Sequence, residues 1–508
     1  MTRRSSPSAR ACTSLACPHL LAATVLAAAW VGSAACGNGH AGGPADREAS
    51  ATTHGAARPS DVQASPVAAE EAARQARIAR EWPLHGLVTG LQLVIRTEPN
   101  PDATTLGWLR IGSRIRLKPG ATRTSTCSTG WYRVYPTGWA CSGEGITVGG
   151  TPPVNALVIA PPAREAPLPY PYYFVKDDAV PEYHRVPSRD EQREAMAFST
   201  RIQELRAQDE GKVGRLLRGE LPGQPPYPIF VRMFLQRGWF VAAAGIEVRA
   251  FRRFVRTVRG RYIKEAQLLP RNASSFHGVE LTGDVQLPMA WVVREVRPFT
   301  RVTLPDGEIR FAEDQEHPPL ARLSTVPWAR RERSGDRMLH VLSDGRYVRD
   351  WFLAVAERID PPEGVGEDEP WVHVDAGEQT LVLYRGRTPV YATLVSTGLE
   401  GHDTPRGLFT IRAKQVASTM SDIGADAADE RYSIEDVPWT EYFSGSVALH
   451  GEFWHERFGL RRSHGCVNLA PIDAHRIFNE TWPTLPDGWH GVSADRTGMH
   501  ASHVYITD

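Results

Sequence analysis

The sequence predicts a mainly β protein with one helical segment and a β domain at its C-terminus. Three observations predict this. Apolar residues recur in short alternating runs, broken by 44 Gly and 39 Pro, which is the texture of strands and turns. One long stretch, after Ser188, has helical periodicity behind an N-cap. From Trp371 onward, paired apolar runs are joined by Gly-containing turns.

The 508 residues suffice for several domains. Lys plus Arg equals Asp plus Glu at 58 each, so the chain has no polyanion-binding character as a whole, and no nucleic-acid partner is expected.

Residues 1–36 read as an export signal. Arg3, Arg4 and Arg10 precede the apolar "LLAATVLAAAWV", and "GSAAC" follows. "SAAC" resembles a lipoprotein box with Cys36 as the lipid-bearing residue, although Ser33 stands where a larger aliphatic residue is usual. Ordinary cleavage after Ala35 is the competing reading. The expected location is the periplasm or cell envelope, with or without a lipid anchor. Residues 37–81 lack apolar periodicity and read as a flexible tether.

Residues 82–150 ("GLQLVIRTEPNPDATTLGWLRIGSRIRL", "GWYRVYPTGWACSGEGITV") read as a small barrel. They resemble bacterial Src-homology-3-like barrels, and a generic β-module fits equally well. Cys127 and Cys141 flank a hairpin, so an exported protein would pair them as a disulfide. Residues 151–187 are rich in Pro and Tyr and read as an extended linker.

Ser188 and Glu191 form a capping box that opens a helix with Phe198, Ile202 and Leu205 on one face. The rest of 188–360 reads as strands of an α+β accessory region. "SDGRYVRDWFLAVAE" echoes the first barrel and suggests a second one. The basic run 252–264 fits an anionic wall polymer or a solvated face. Residues 361–370 are a linker.

The C-terminal β domain carries the chemistry. "RRSHGCVNL" places Cys466 after His464 and Gly465. With Cys12 and Cys17 in the signal, Cys36 at its end and Cys127 paired with Cys141, Cys466 is left over. A solitary exported thiol is a small hydrophobe, a metal ligand or a nucleophile. A nucleophile needs a histidine or converging amides to form thiolate. His450, His455, His464 and His475 are nearby, and His450 ends its own strand sixteen residues upstream. Gly465 permits a tight turn that can aim the Gly465 and Cys466 amides at an oxyanion. Asn468 can brace the loop. The spacing matches no common zinc pattern, and "HGEFWH" is not H-E-x-x-H, so no metal or other cofactor is expected.

"QTLVLYRGRTPVYATLVSTG", "TPRGLFTI", "ALHG" and "SHGCVN", in that order, resemble the L,D-transpeptidase (YkuD-type) family. The resemblance covers residues 371–495, and 496–508 remain as a tail. It implies a β-sandwich catalytic domain acting on peptidoglycan stem peptides as donor and acceptor, with the N-terminal modules as wall-polymer binders. It implies Cys466 as nucleophile and His450 as general base, with His464, Ser463, Gly465 and Asn468 shaping the loop and oxyanion site. Gly451, Trp454 and Tyr442 are candidate substrate-binding residues. An L,D-carboxypeptidase or amidase on the same domain, and a non-enzymatic wall-binding protein, are the alternative expectations.

Overall fold

The computed structural model describes residues 66–155, 159–421 and 432–508. The export-signal reading, with Cys36, and the first part of the tether lie outside the described residues. Among those described, no helix is long and apolar enough to cross a membrane.

The end of the expected tether is a helix, Pro66–Glu81. Its alanines favour helix intrinsically, so it needs no apolar stripe. Ile78 and the following Trp82 are buried, and Arg74 bonds both Glu71 and Asp487.

Residues 82–150 form a small β-module. Leu84–Val88 lies between Arg114–Leu117 and Ile146–Gly149, all antiparallel. The sulfurs of Cys127 and Cys141 are 1.98 Å apart, a disulfide. The module is not separate from the C-terminal domain. Thr105–Arg110 pairs with Gly491–Ser493, and Leu93, Ile95 and Leu109 share one core with Val416, Leu449 and Val467.

The expected linker 151–187 also contains strands, Tyr172–Val175 and Val180–Tyr183. Prolines 167, 169 and 171 hide the first one in the sequence, but Tyr172 and Val175 are buried, and the strand pairs with Phe240–Arg249 and Leu268–Arg271.

The capping box forms at Ser188 and Glu191, and Arg189–Gln208 buries Phe198, Ile202 and Leu205. The accessory region then splits in two β parts. Each ends in a strand, a three-residue 3₁₀ turn and another strand: Tyr262–Lys264, Glu265–Gln267, Leu268–Arg271, and Tyr347–Arg349, Asp350–Phe352, Leu353–Ala356. The 82–150 module ends the same way, at Trp139–Cys141, Ser142–Glu144 and Ile146–Gly149. The glycine opening each unit, Gly138, Gly260 and Gly345, has positive φ. "GRYIKEAQL" and "GRYVRDWFL" show the repeat in sequence.

The C-terminal domain is a β-sandwich. One sheet runs Val279–Glu280, Thr388–Leu394, Thr380–Arg385, Pro370–Asp375, His503–Thr507 and Gly407–Thr410. Its first strand comes from the accessory region. Its fifth comes from the expected tail 496–508, which is an interior strand parallel to Pro370–Asp375, with Val504 and Ile506 buried. The facing sheet contains Ala413–Ser421, Ser433–Ser444, Val447–Gly451, Val467–Leu469 and Gly491–Ser493. Helix Pro471–Glu480 packs on the core through Ala474, Ile477 and Phe478. Buried Lys414 holds the end of that helix, donating to Thr481 O (2.7 Å) and Thr481 Oγ1 (3.1 Å).

Candidate functional site

Two parallel strand ends build the site. Val447–Gly451 pairs with Val467–Leu469 so that His450 stands beside Asn468, and Cys466 immediately precedes the second strand. Asn468 is fixed on its other side by a double bridge to Ser396, 2.9 Å in each direction.

The turn before Cys466 is locked from several directions. Gly465 adopts φ +113°, a conformation open to glycine. Its N–H donates to Ser463 Oγ (3.1 Å), and that hydroxyl donates to Cys466 O (2.5 Å). Thr404 Oγ1 donates to Gly465 O (2.8 Å). The Gly465 N–H is therefore engaged within the loop, contrary to the expectation that it faces an oxyanion.

His450 is buried. Its Nδ1–H donates to Gly451 O (3.2 Å), which leaves the Nε2 lone pair as the acceptor. Burial pushes its pKa down to about 4, so the imidazole is neutral at neutral pH. Its ring stacks on Trp454 with centroids 5.9 Å apart. Cys466 is partly exposed and is the free cysteine among the described residues. Burial raises its pKa, the Ala448 amide opposing this and the nearby Glu452 carboxyl adding to it. The expected low-pKa thiolate is thus absent at rest, because desolvation outweighs the local amide.

A cavity of about 750 Å³ gathers Cys466, His450, His464, Ser463, Asn468, Tyr442 and Trp454. His464 is exposed, its ring 4.8 Å from that of His402. Tyr442 shares a hydrogen bond with Ser418 Oγ (2.8 Å). Gly451 does not line the cavity. A Cβ there would stand 3.0 Å from Pro438, so its smallness serves packing. His475 lies elsewhere, 2.8 Å from Arg164 O. Among the described residues, no group of three or more His, Cys, Asp or Glu is arranged to hold a metal ion.

Sequence reasoning gave no individual role to four contributors, although the bulky, charged segment 452–462, which holds two of them, reads as a wall of the substrate groove. Glu452 is fully buried, and burial lifts its pKa well above the carboxylate range. It accepts from Asn468 Nδ2 (2.6 Å) and from Trp454 N–H (3.3 Å). Its signal was a lone carboxyl straight after His-Gly in apolar company. Arg462 lines the cavity beside Ser463. Gly238 and Phe240 line it from the accessory region, and no local signal marks them. Phe240 packs against Phe453 (5.6 Å) and Trp454 (6.0 Å).

Residues 369–484 match the YkuD family, described as an L,D-transpeptidase catalytic domain. No curated protein matches the chain. Among solved structures, the chain is similar to an L,D-transpeptidase (Yku) from Stackebrandtia nassauensis, at 23% identity over 28% of this chain and 57% of that one, TM-score 0.20. It thus spans little more than half of that protein's length. An L,D-transpeptidase from Mycobacterium smegmatis is 15% identical over 41% of this chain and 77% of that one, TM-score 0.23. L,D-transpeptidase 3 from Mycobacterium tuberculosis is 14% identical over 36% and 79%, TM-score 0.23. At such TM-scores these likenesses add no weight to the family match. Residues 369–484 are a YkuD L,D-transpeptidase catalytic domain.

Proposed function

We propose that this protein is an exported peptidoglycan L,D-transpeptidase that works through a thioester on Cys466. The observation that carries the reading is a thiol and a buried neutral imidazole on adjacent strand ends, sharing one cavity within a YkuD domain.

The chemistry is acyl transfer. The Cys466 proton passes to His450 Nε2 as the sulfur attacks the carbonyl of the third stem residue. The tetrahedral oxyanion collapses, the C–N bond to the terminal D-residue breaks, and the imidazolium protonates the departing amine. An acceptor amine then attacks the thioester, gives its proton to His450, and returns the thiol. The raised thiol pKa and lowered imidazole pKa make the resting pair uncharged, so substrate must drive the proton transfer. The location in the envelope, with Cys36 as lipid bearer, is proposed on the N-terminal sequence alone. The 82–150 module and its two relatives are proposed as wall-polymer binders.

The test is mass spectrometry of stem peptides incubated with the mature protein. Crosslinked product with an acyl adduct on Cys466 is expected, and the Cys466→Ala variant should give neither. Product without an adduct on Cys466 would reject the mechanism.

A further inference from the structure

Arg462 is the one formally charged side chain among the described residues that line the Cys466 cavity. Its backbone N–H donates to Thr397 O (2.8 Å), which fixes its position next to Ser463. Its guanidinium makes no hydrogen bond or ion pair with any described residue. Its neighbour Arg461 differs: that guanidinium bonds Asp403 Oδ1 (3.2 Å) and Ala376 O (3.4 Å).

The surroundings hold no anion paired with the Arg462 guanidinium. Glu452 is the nearby carboxyl; it is fully buried, and burial raises its pKa well above the usual carboxylate range. Its Oε2 is already taken by Asn468 Nδ2. His455 also lines the cavity. Its Nδ1 accepts from Arg457 N–H (3.1 Å), so the neutral ring carries its proton on Nε2, which stands 3.5 Å from Glu452 Oε2 without forming a hydrogen bond. Burial and the nearby Arg462 charge both keep this ring unprotonated, its pKa at about 4. The wall therefore presents an exposed guanidinium and an imidazole N–H, neither of them hydrogen-bonded to a described residue. Guanidinium binds carboxylate in two parallel hydrogen bonds, and the pairing is strongest where water is partly excluded.

We propose that Arg462 forms a carboxylate-binding subsite beside Cys466, so that the acyl donors of this site carry a free carboxylate next to the carbonyl under attack. The proposal rests on the reading of Cys466 as the acyl-accepting thiol. It goes beyond it by naming the donor class: stems with a free acid, in preference to amidated stems.

Two alkylating agents of nearly equal size, anionic iodoacetate and neutral iodoacetamide, test the subsite without turnover. In the full-length protein, the ratio of iodoacetate to iodoacetamide rates at Cys466 should fall about tenfold in Arg462→Gln, the scale of one charge-assisted contact. The iodoacetamide rate should stay within about twofold, which reports an intact thiol environment, and Arg462→Lys should keep part of the preference. Added salt should slow only iodoacetate. An unchanged ratio in Arg462→Gln, or both rates falling together, overturns the proposal. A second arm compares acylation by stem peptides that are free acids, amidated at the C-terminus, or amidated at the diamino-acid carboxylate. Slower acylation in one amidated arm supports the proposal and names the carboxylate; equal rates in all three overturn it. If no stem peptide acylates Cys466 while the iodoacetate preference persists, the acyl-transfer reading fails and the carboxylate subsite stands.

Discussion

Asn468 Nδ2 donates to Glu452 Oε2 across 2.6 Å, and this bond ties the strand end that carries His450 to the one that follows Cys466. The same carboxyl accepts from Trp454 N–H, and Trp454 lies over the His450 ring. One buried side chain thus positions both halves of the site without a hydrogen bond to either reacting atom.

Glu452→Gln keeps the shape and an acceptor for Trp454 N–H. With the Asn468 amide turned over, the introduced NH2 donates to the otherwise unpartnered Asn468 Oδ1, so this variant should retain the fold and activity within several-fold. Glu452→Ala leaves the buried Asn468 Nδ2 and the part-buried Trp454 N–H unpaired, at a cost of about 1–3 kcal/mol for a buried donor. It should lower kcat more than it raises KM, because misplacement of His450 acts on the chemical step. Equal losses in the Gln and Ala variants would remove the positioning role. Thermal unfolding and steady-state kinetics on both variants decide this.

The pH dependence of the thiol separates the two histidines. Cys466 is pushed up by burial, so its alkylation by iodoacetamide should climb about tenfold per pH unit through neutrality, with no thiolate plateau at low pH. His464 is exposed and stands against His402, so His464→Ala should leave this titration in place. His450→Ala should also leave the resting titration nearly unchanged, yet slow acylation by substrate on the order of a hundredfold or more. A plateau of reactivity below pH 6 would mean a preformed ion pair.

Burial of His450 makes stability depend on pH. Its folded pKa, about 4, lies below the unfolded value of about 6.5, so the unfolded chain binds the extra proton in that window. Stability from this group is therefore full above pH 6.5 and is lost as pH falls towards 4, by at most about 3 kcal/mol. His450→Gln removes the titration. The melting temperature of this variant, measured against the parent, should rise steadily as pH drops from 7 to 4. A constant difference would show that His450 does not carry the depressed pKa.

Phe240 reaches the cavity from the accessory region and packs on Phe453 and Trp454. Phe240→Ala should cost about 3 kcal/mol and reduce kcat/KM, whereas Phe240→Leu should recover most of both. Denaturant unfolding alongside kinetics measures the two effects. Unchanged kinetics in a destabilised Phe240→Ala protein would confine the residue to packing.

The sequence by itself determined what local chemistry dictates. Period-two runs and Gly/Pro turns gave the β character, and Ser188 with Glu191 marked a helix start that the structure reproduces. The ordered segments ending in "SHGCVN" placed the domain at 371–495, and the family match covers 369–484. Other features were decided only when distant segments packed. The strand His503–Thr507 looks like a tail until it is seen between two partners that bury Val504 and Ile506. Pro66–Glu81 looks like a tether because one buried residue, Ile78, makes no stripe. Nothing in the sequence places Phe240 beside Trp454, 214 residues later, since that meeting depends on sheet pairing between Phe240 and Ile434. The charge states at the site have the same origin. The composition of a motif names a thiol, an imidazole and a carboxyl, but desolvation sets their pKa values, and desolvation is a property of what surrounds them in three dimensions.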